Sequence, residues 1–149
     1  MQAAGLEIAC IDMSRAAHSG TVPPKRILVV DDEPQVADTI RMVLALSGHI
    51  IEIAESGSRA LEMYEPGKFD LVISDYSLGQ MNGLNLARKI RERSATQPFI
   101  LVTAYAETMA LKKELLTDID FILGKPFALT QLQEAMNSVF PHTPGALEG

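Results

Sequence analysis

Tryptophan is absent and aromatic residues make up only 5% of the chain, so the core must be assembled from Leu, Ile, Val, Ala and Met. Cysteine occurs once, at Cys10, which excludes an internal disulfide and suits a reducing compartment. Positive charge is in deficit: 13 Lys and Arg against 19 Asp and Glu give a formal net charge of −6. Nucleic acids and anionic membranes attract basic surfaces, so nonspecific binding to either is not expected. No apolar run approaches the roughly 20 residues of a membrane span. The N-terminus also lacks the basic head, apolar stretch and cleavage site of a secretory signal. A cytoplasmic location without membrane insertion is therefore the expectation. A Gly-rich phosphate loop is missing after the first strand-like segment, which argues against a nucleotide-binding domain.

What is present is a set of short apolar runs that each break off at a polar residue. ILVV runs into Asp31-Asp32, LVIS into Asp75, ILV into Thr103 and FILG into Lys125-Pro126. Runs of this length fit buried parallel strands. Helical patterns alternate with them. Pro34 suits a first helical turn, and Val36, Ile40, Val43 and Leu44 follow at helical spacing until Ser47-Gly48. HIIEIAE reads as an edge-like strand interrupted by Glu52 and Glu55. Further helices are expected over Ser58 to Tyr64, around Leu84, Ala87 and Ile90, from Ala106 to Leu116, and along Leu129, Leu132, Met136 and Val139.

Five βα units imply an α/β fold, a five-stranded parallel sheet with helices on both faces. The domain is expected over residues 25–140. Residues 1–24 form an N-terminal arm, either poorly ordered or docked through Leu6 to Met13, and residues 141–149 form a loose tail. Those nine last residues are too few to fold, so the output is expected to be a protein–protein contact.

In an open parallel sheet the carboxyl ends of the strands line the crevice where ligands bind. Asp31, Asp32, Asp75, Thr103 and Lys125 would then meet at one edge. Three acids in one place require more than one lysine to balance them, which predicts a divalent cation. Asp75, at the end of a central strand, is placed to act as a nucleophile toward phosphorus. Magnesium suits a site with few carboxylates, held here by Asp32 and Asp75 with Asp31 helping through water. Lys125 would pair with one phosphoryl oxygen and the Thr103 hydroxyl with another. Each residue alone has a plainer reading: the Asp pair as helix cap and turn, Asp75 as a loop acid, Thr103 as a capping hydroxyl, Lys125 as a surface charge. Their joint occurrence at successive strand ends favours the phosphoryl-transfer reading.

The segments ILVVDDEP, DLVISDYSLGQMNGLNLARKIR, ILVTAYAE and GKPFALTQL resemble the response-regulator receiver domain of two-component signal transduction. The resemblance covers roughly residues 25–140. It implies the flavodoxin-like (βα)5 receiver fold and a Mg2+ site at Asp31, Asp32, Asp75 and the Ser77 backbone carbonyl. It also implies phosphorylation of Asp75 by a histidine kinase or histidine phosphotransfer protein, with Thr103 and Lys125 in the hydroxyl and lysine roles. A cis Lys125–Pro126 peptide is part of the same pattern. Such a protein is a single-domain response regulator or phosphorelay receiver, self-catalysing only its own phosphorylation and dephosphorylation. It is a monomer or a phosphorylation-dependent dimer whose downstream protein partner is unknown.

Two departures stand out. Gly79 occupies a position where the family often has proline, from which a looser loop is expected. Ile122 takes the place of the family's inward-turning Tyr or Phe. Phe121 lies one residue earlier, so it belongs on the opposite face of its strand, in the core. Ser77 and Tyr105 flank the path of an attacking water and are expected to tune phosphate lifetime, Tyr105 by screening the aspartyl-phosphate; a tyrosine merely packed beside the next helix is the plainer alternative. Two other function classes fit the sequence less well. An unphosphorylated docking module would tolerate loss of site residues, yet all five are present. An aspartyl-nucleophile phosphatase-like hydrolase resembles a DxD pattern with a cap insertion, and this chain has adjacent aspartates and no room for a cap. The basic run Arg88 to Arg93 reads as a solvated helix face.

Overall fold

The computed structural model describes residues 22–110 and 116–140. Among these residues five strands and five helices alternate: β1 (Arg26–Val30), α1 (Pro34–Leu46), β2 (Ile50–Ala54), α2 (Gly57–Met63), β3 (Leu71–Asp75), α3 (Gly83–Arg93), β4 (Phe99–Thr103), α4 (Ala106–Ala110), β5 (Phe121–Gly124) and α5 (Leu129–Val139). A short two-stranded ribbon (Ser77–Leu78, Met81–Asn82) precedes α3. The strands pair in parallel in the order β2-β1-β3-β4-β5. This is the five-stranded flavodoxin-like arrangement, in which the chain reverses its lateral direction between β1 and β3. As its interrupting glutamates suggest, β2 is an edge strand.

Residues alternate across the sheet. Ile27, Val29, Leu71, Ile73, Ile100 and Val102 pack on one face with Ile40 and Leu44 of α1 and Leu132, Ala135 and Met136 of α5. Leu28, Val30, Val72, Phe99 and Leu101 pack on the other with Ala60 of α2 and Leu86, Ala87 and Ile90 of α3. Strands covered on both sides must be apolar throughout, which is why their runs are continuous.

Local signals set the helix ends. Gly48 adopts φ +89 after α1, the left-handed conformation that glycine accepts without steric cost. The Ser56 hydroxyl caps α2 by accepting the Arg59 N–H at 3.0 Å, starting it at Gly57, one residue earlier than expected. The Asn82 side chain does the same for α3, accepting the Asn85 N–H at 2.8 Å. Of the helix expected over Ala106–Leu116, residues 106–110 are helical, while 111–115 lie outside the described residues. The arm, apart from residues 22–24, and the tail also lie outside them. Val22 packs against the α1/α5 side of the core. His49, not singled out by sequence, accepts the Lys25 N–H at Nδ1 over 2.9 Å and ties the start of β1 to the turn before β2. Burial pushes its pKa down, with the Lys25 charge as a second cause. No helix among the described residues is long and apolar enough to cross a membrane.

Candidate functional site

The register of the sheet brings the strand ends together. Val30 lies beside Ser74, so Asp31 and Asp75 leave their strands side by side. Asp75 lies beside Val102 and Thr103 beside Gly124, which places Thr103 and Lys125 next along the same edge. Asp31, Asp75 and Thr103 are buried, whereas Asp32 is exposed. One carboxylate oxygen from each of Asp31, Asp32 and Asp75 lies within 4.8 Å of the other two. Lys125 Nζ is 2.8 Å from Asp75 Oδ1. A polar cleft of about 300 Å³ opens above this group, lined by Asp32, Glu33, Asp75, Ser77, Thr103, Tyr105 and Lys125 among others.

The three clustered carboxylates face one lysine. Burial raises the Asp31 pKa, and the nearby Asp75 and Asp32 charges add to it. The Glu33 N–H, which donates to Asp31 Oδ1 at 2.9 Å, and the Lys125 charge oppose the rise without cancelling it. Burial alone would push the Lys125 pKa down. The hydrogen bond and charge of Asp75, helped by Asp31 and Glu33, outweigh that and raise it. Three close, oxygen-only donors with a charge deficit fit a hard divalent cation. Glu33, which follows the Asp pair directly, was missed by sequence reasoning although it lines the cleft.

Thr103 Oγ1 accepts the Tyr105 N–H at 3.0 Å, leaving the hydroxyl proton to be donated elsewhere. Tyr105 itself is 61% exposed at the rim. Ser77 belongs to a short antiparallel ribbon in which Ser77 pairs with Asn82 and Leu78 with Met81. Gly79, at φ +82, begins the two-residue turn of that ribbon, where a primed hairpin turn favours glycine. Proline, whose φ is fixed at about −65°, could not take this place. Phe121 packs against the α1/α5 side of the core, on the face expected for it. Ile122, paired with Leu101, points to the opposite face. The Lys125–Pro126 peptide is cis.

The basic face of α3 is solvent-exposed at Arg88, Lys89 and Arg93, as expected, and three of its arginines also bond within the molecule. Arg91 donates to Asp120 Oδ2 at 2.9 Å and to the Gln97 carbonyl at 2.8 Å. Arg93 reaches the Leu61 carbonyl at 2.8 Å, and Arg88 the Asn85 side chain at 3.1 Å.

Residues 27–137 match the family model described as the response regulator receiver domain. Over 120 residues the chain is 32% identical to the response regulator MprA of Mycolicibacterium vanbaalenii, covering 80% of this chain and 52% of that protein. The chain thus spans about half the length of the curated relatives it matches. Among solved structures, the non-phosphorylated HemR receiver domain of Leptospira biflexa superposes with a TM-score of 0.71 at 31% identity, over 81% of this chain and 97% of that one. The response regulator TrrA of Thermotoga maritima, solved in complex with Mg(2+)-BeF, superposes with a TM-score of 0.70 at 34% identity, over 77% and 98%. Fold, family match and related structures agree, and the chain belongs to the response regulator receiver domain family of two-component signal transduction.

Proposed function

We propose that residues 25–140 form a cytoplasmic receiver that takes a phosphoryl group onto Asp75 from a histidine kinase or histidine phosphotransfer protein. The observation that carries this reading is the sheet register, which sets Asp75 between two further acids and a lysine 2.8 Å away. An Asp75 carboxylate oxygen attacks phosphorus. The P–N bond of the donor phosphohistidine breaks, its electron pair stays on the imidazole nitrogen, and solvent supplies that nitrogen with a proton. Mg2+, held by the Asp31, Asp32 and Asp75 carboxylates and the Ser77 carbonyl, would supply the positive charge that the phosphoryl oxygens require. Lys125 then shifts from the carboxylate to a phosphoryl oxygen, and Thr103 donates its hydroxyl proton to another. Little covalent work beyond this positioning is needed. The output is a protein–protein contact made by a monomer or a phosphorylation-dependent dimer, through α4, β5 and α5.

The test is incubation with Mg2+ and acetyl phosphate, followed by intact-mass measurement. A gain of about 80 daltons, the mass of one phosphoryl group, is expected, and it should vanish when EDTA removes the metal. No adduct at millimolar donor would overturn the reading in favour of a docking module.

Tyr105, exposed at the rim of the cleft, screens the aspartyl-phosphate from water. Tyr105→Ala is expected to speed loss of the adduct several-fold after donor is removed. An unchanged rate would assign the ring to packing alone.

A further inference from the structure

The segment that follows Asp75 is held at more points than a surface connection requires. The Tyr76 N–H donates to the Val102 carbonyl at 2.8 Å, and the Tyr76 carbonyl accepts the Gly83 N–H at 2.8 Å. The ribbon Ser77–Leu78/Met81–Asn82 closes the loop between these anchors. Gly83, the first residue of α3, is buried. A Cβ built on it would lie 2.7 Å from the Asp75 carbonyl oxygen, 3.2 Å from Tyr76 Cα and 2.5 Å from Leu101 Cδ1. The leucine contact is the end of a flexible side chain and can be relieved by a rotamer change. The other two are backbone, and one of them belongs to Asp75 itself. Hydrogen bonds on either side leave that backbone little room to yield.

We propose that Gly83 is a positioning residue for the phosphoacceptor: its missing side chain lets the first turn of α3 lie flush on the Asp75–Tyr76 peptide. This contact fixes the depth from which the Asp75 carboxylate and the Ser77 carbonyl face Asp31, Asp32 and Lys125. The inference rests on the phosphoacceptor reading above. A side chain at position 83 must push the end of β3 or the start of α3 outward by several tenths of an ångström. Reacting groups tolerate displacements of only about 0.5 Å before efficiency falls steeply. The glycine therefore acts on the chemistry through the backbone, without touching the phosphoryl group.

Gly83→Ala is compared with wild type, and Gly83→Ala/Leu101→Ala with Leu101→Ala. The second pair removes the leucine conflict while keeping the backbone one. Folding is followed by circular dichroism, the initial rate of acetyl-phosphate labelling at saturating Mg2+ by intact mass, and Mg2+ affinity by calorimetry without donor. Within each pair that folds, the alanine at position 83 is expected to slow labelling about tenfold and to weaken Mg2+ binding several-fold. Recovery of the double variant to the level of Leu101→Ala would mean that core overpacking explains the defect, and would overturn the proposal. Failure of both Gly83 variants to fold would assign the residue to the fold alone, with the same consequence. Absence of labelling in wild type would instead remove the phosphoacceptor reading itself.

Discussion

Asp75→Asn is expected to abolish the phosphoryl adduct, with labelling reduced by at least about three orders of magnitude. A carboxylate oxygen carries a full share of negative charge toward phosphorus. An amide oxygen is neutral, and its acyl phosphate analogue has no stable counterpart. The substitution keeps the shape of the side chain, so the end of β3 need not move. Its effect on stability combines two opposing changes. The ion pair with Lys125 at 2.8 Å is lost, but so is the repulsion that Asp75 exerts on Asp31. Lys125 keeps partial access to solvent and can turn outward, so no ammonium is left stranded in the core. The net change in stability is expected to stay within about 1 kcal/mol. Intact mass and a chemical-denaturation curve on the same sample check both halves. An adduct that survives in Asp75→Asn would move the acceptor to another carboxylate, Asp32 being the exposed one.

What could be read from the residues was whatever leaves a local mark. Strands buried on both faces leave uninterrupted apolar runs, and Glu52 marks β2 as the edge. Pro34 and Ser47-Gly48 mark the ends of α1. The positions of Asp31, Asp75, Thr103 and Lys125 relative to those runs were enough to place them at one edge, because every parallel strand ends on the same side of the sheet. Lateral register leaves no such mark. That Val30 pairs with Ser74 and Thr103 with Gly124 follows from packing the whole sheet, and with it the 2.8 Å contact of Lys125 with Asp75. Contacts between distant backbone segments are equally silent in the sequence. His49 reads as the start of a strand until the Lys25 N–H is found on its ring, and Gly83 as one more loop residue until its approach to Asp75 is measured. Gly79 is a related case: its place in a loop is legible in the sequence, whereas φ +82 at the turn of a paired ribbon is not.

The same geometry is expected to make the site a source of instability when no metal is present, and Asp31→Asn separates that cost from its use. Asp31 is buried, within reach of two other carboxylates, and its pKa is raised chiefly by burial and then by Asp75 and Asp32. A carboxyl whose folded pKa lies above its unfolded value of about 3.9 binds protons more tightly in the folded state. Its favourable contribution is present below that unfolded value and is lost as pH rises through the folded one. At neutral pH without metal the ionised group therefore weighs against folding. Asparagine removes the charge while its oxygen can still accept the Glu33 N–H. The variant is expected to be more stable than wild type by about 1 kcal/mol at pH 7 without metal, with the gap narrowing as pH falls toward the ordinary carboxylate range. Magnesium should reverse the order. A ligand that binds only the folded state stabilises it in proportion to the logarithm of its concentration over Kd. If Asp31 helps to hold the metal as proposed, directly or through water, its loss should weaken binding about tenfold or more. Denaturation curves with EDTA and with saturating Mg2+ should therefore cross in rank, the variant ahead without metal and wild type ahead with it. A variant less stable than wild type in EDTA at pH 7 would show that the contacts of Asp31 outweigh its repulsion, and that the acidic cluster is held together without help from a cation.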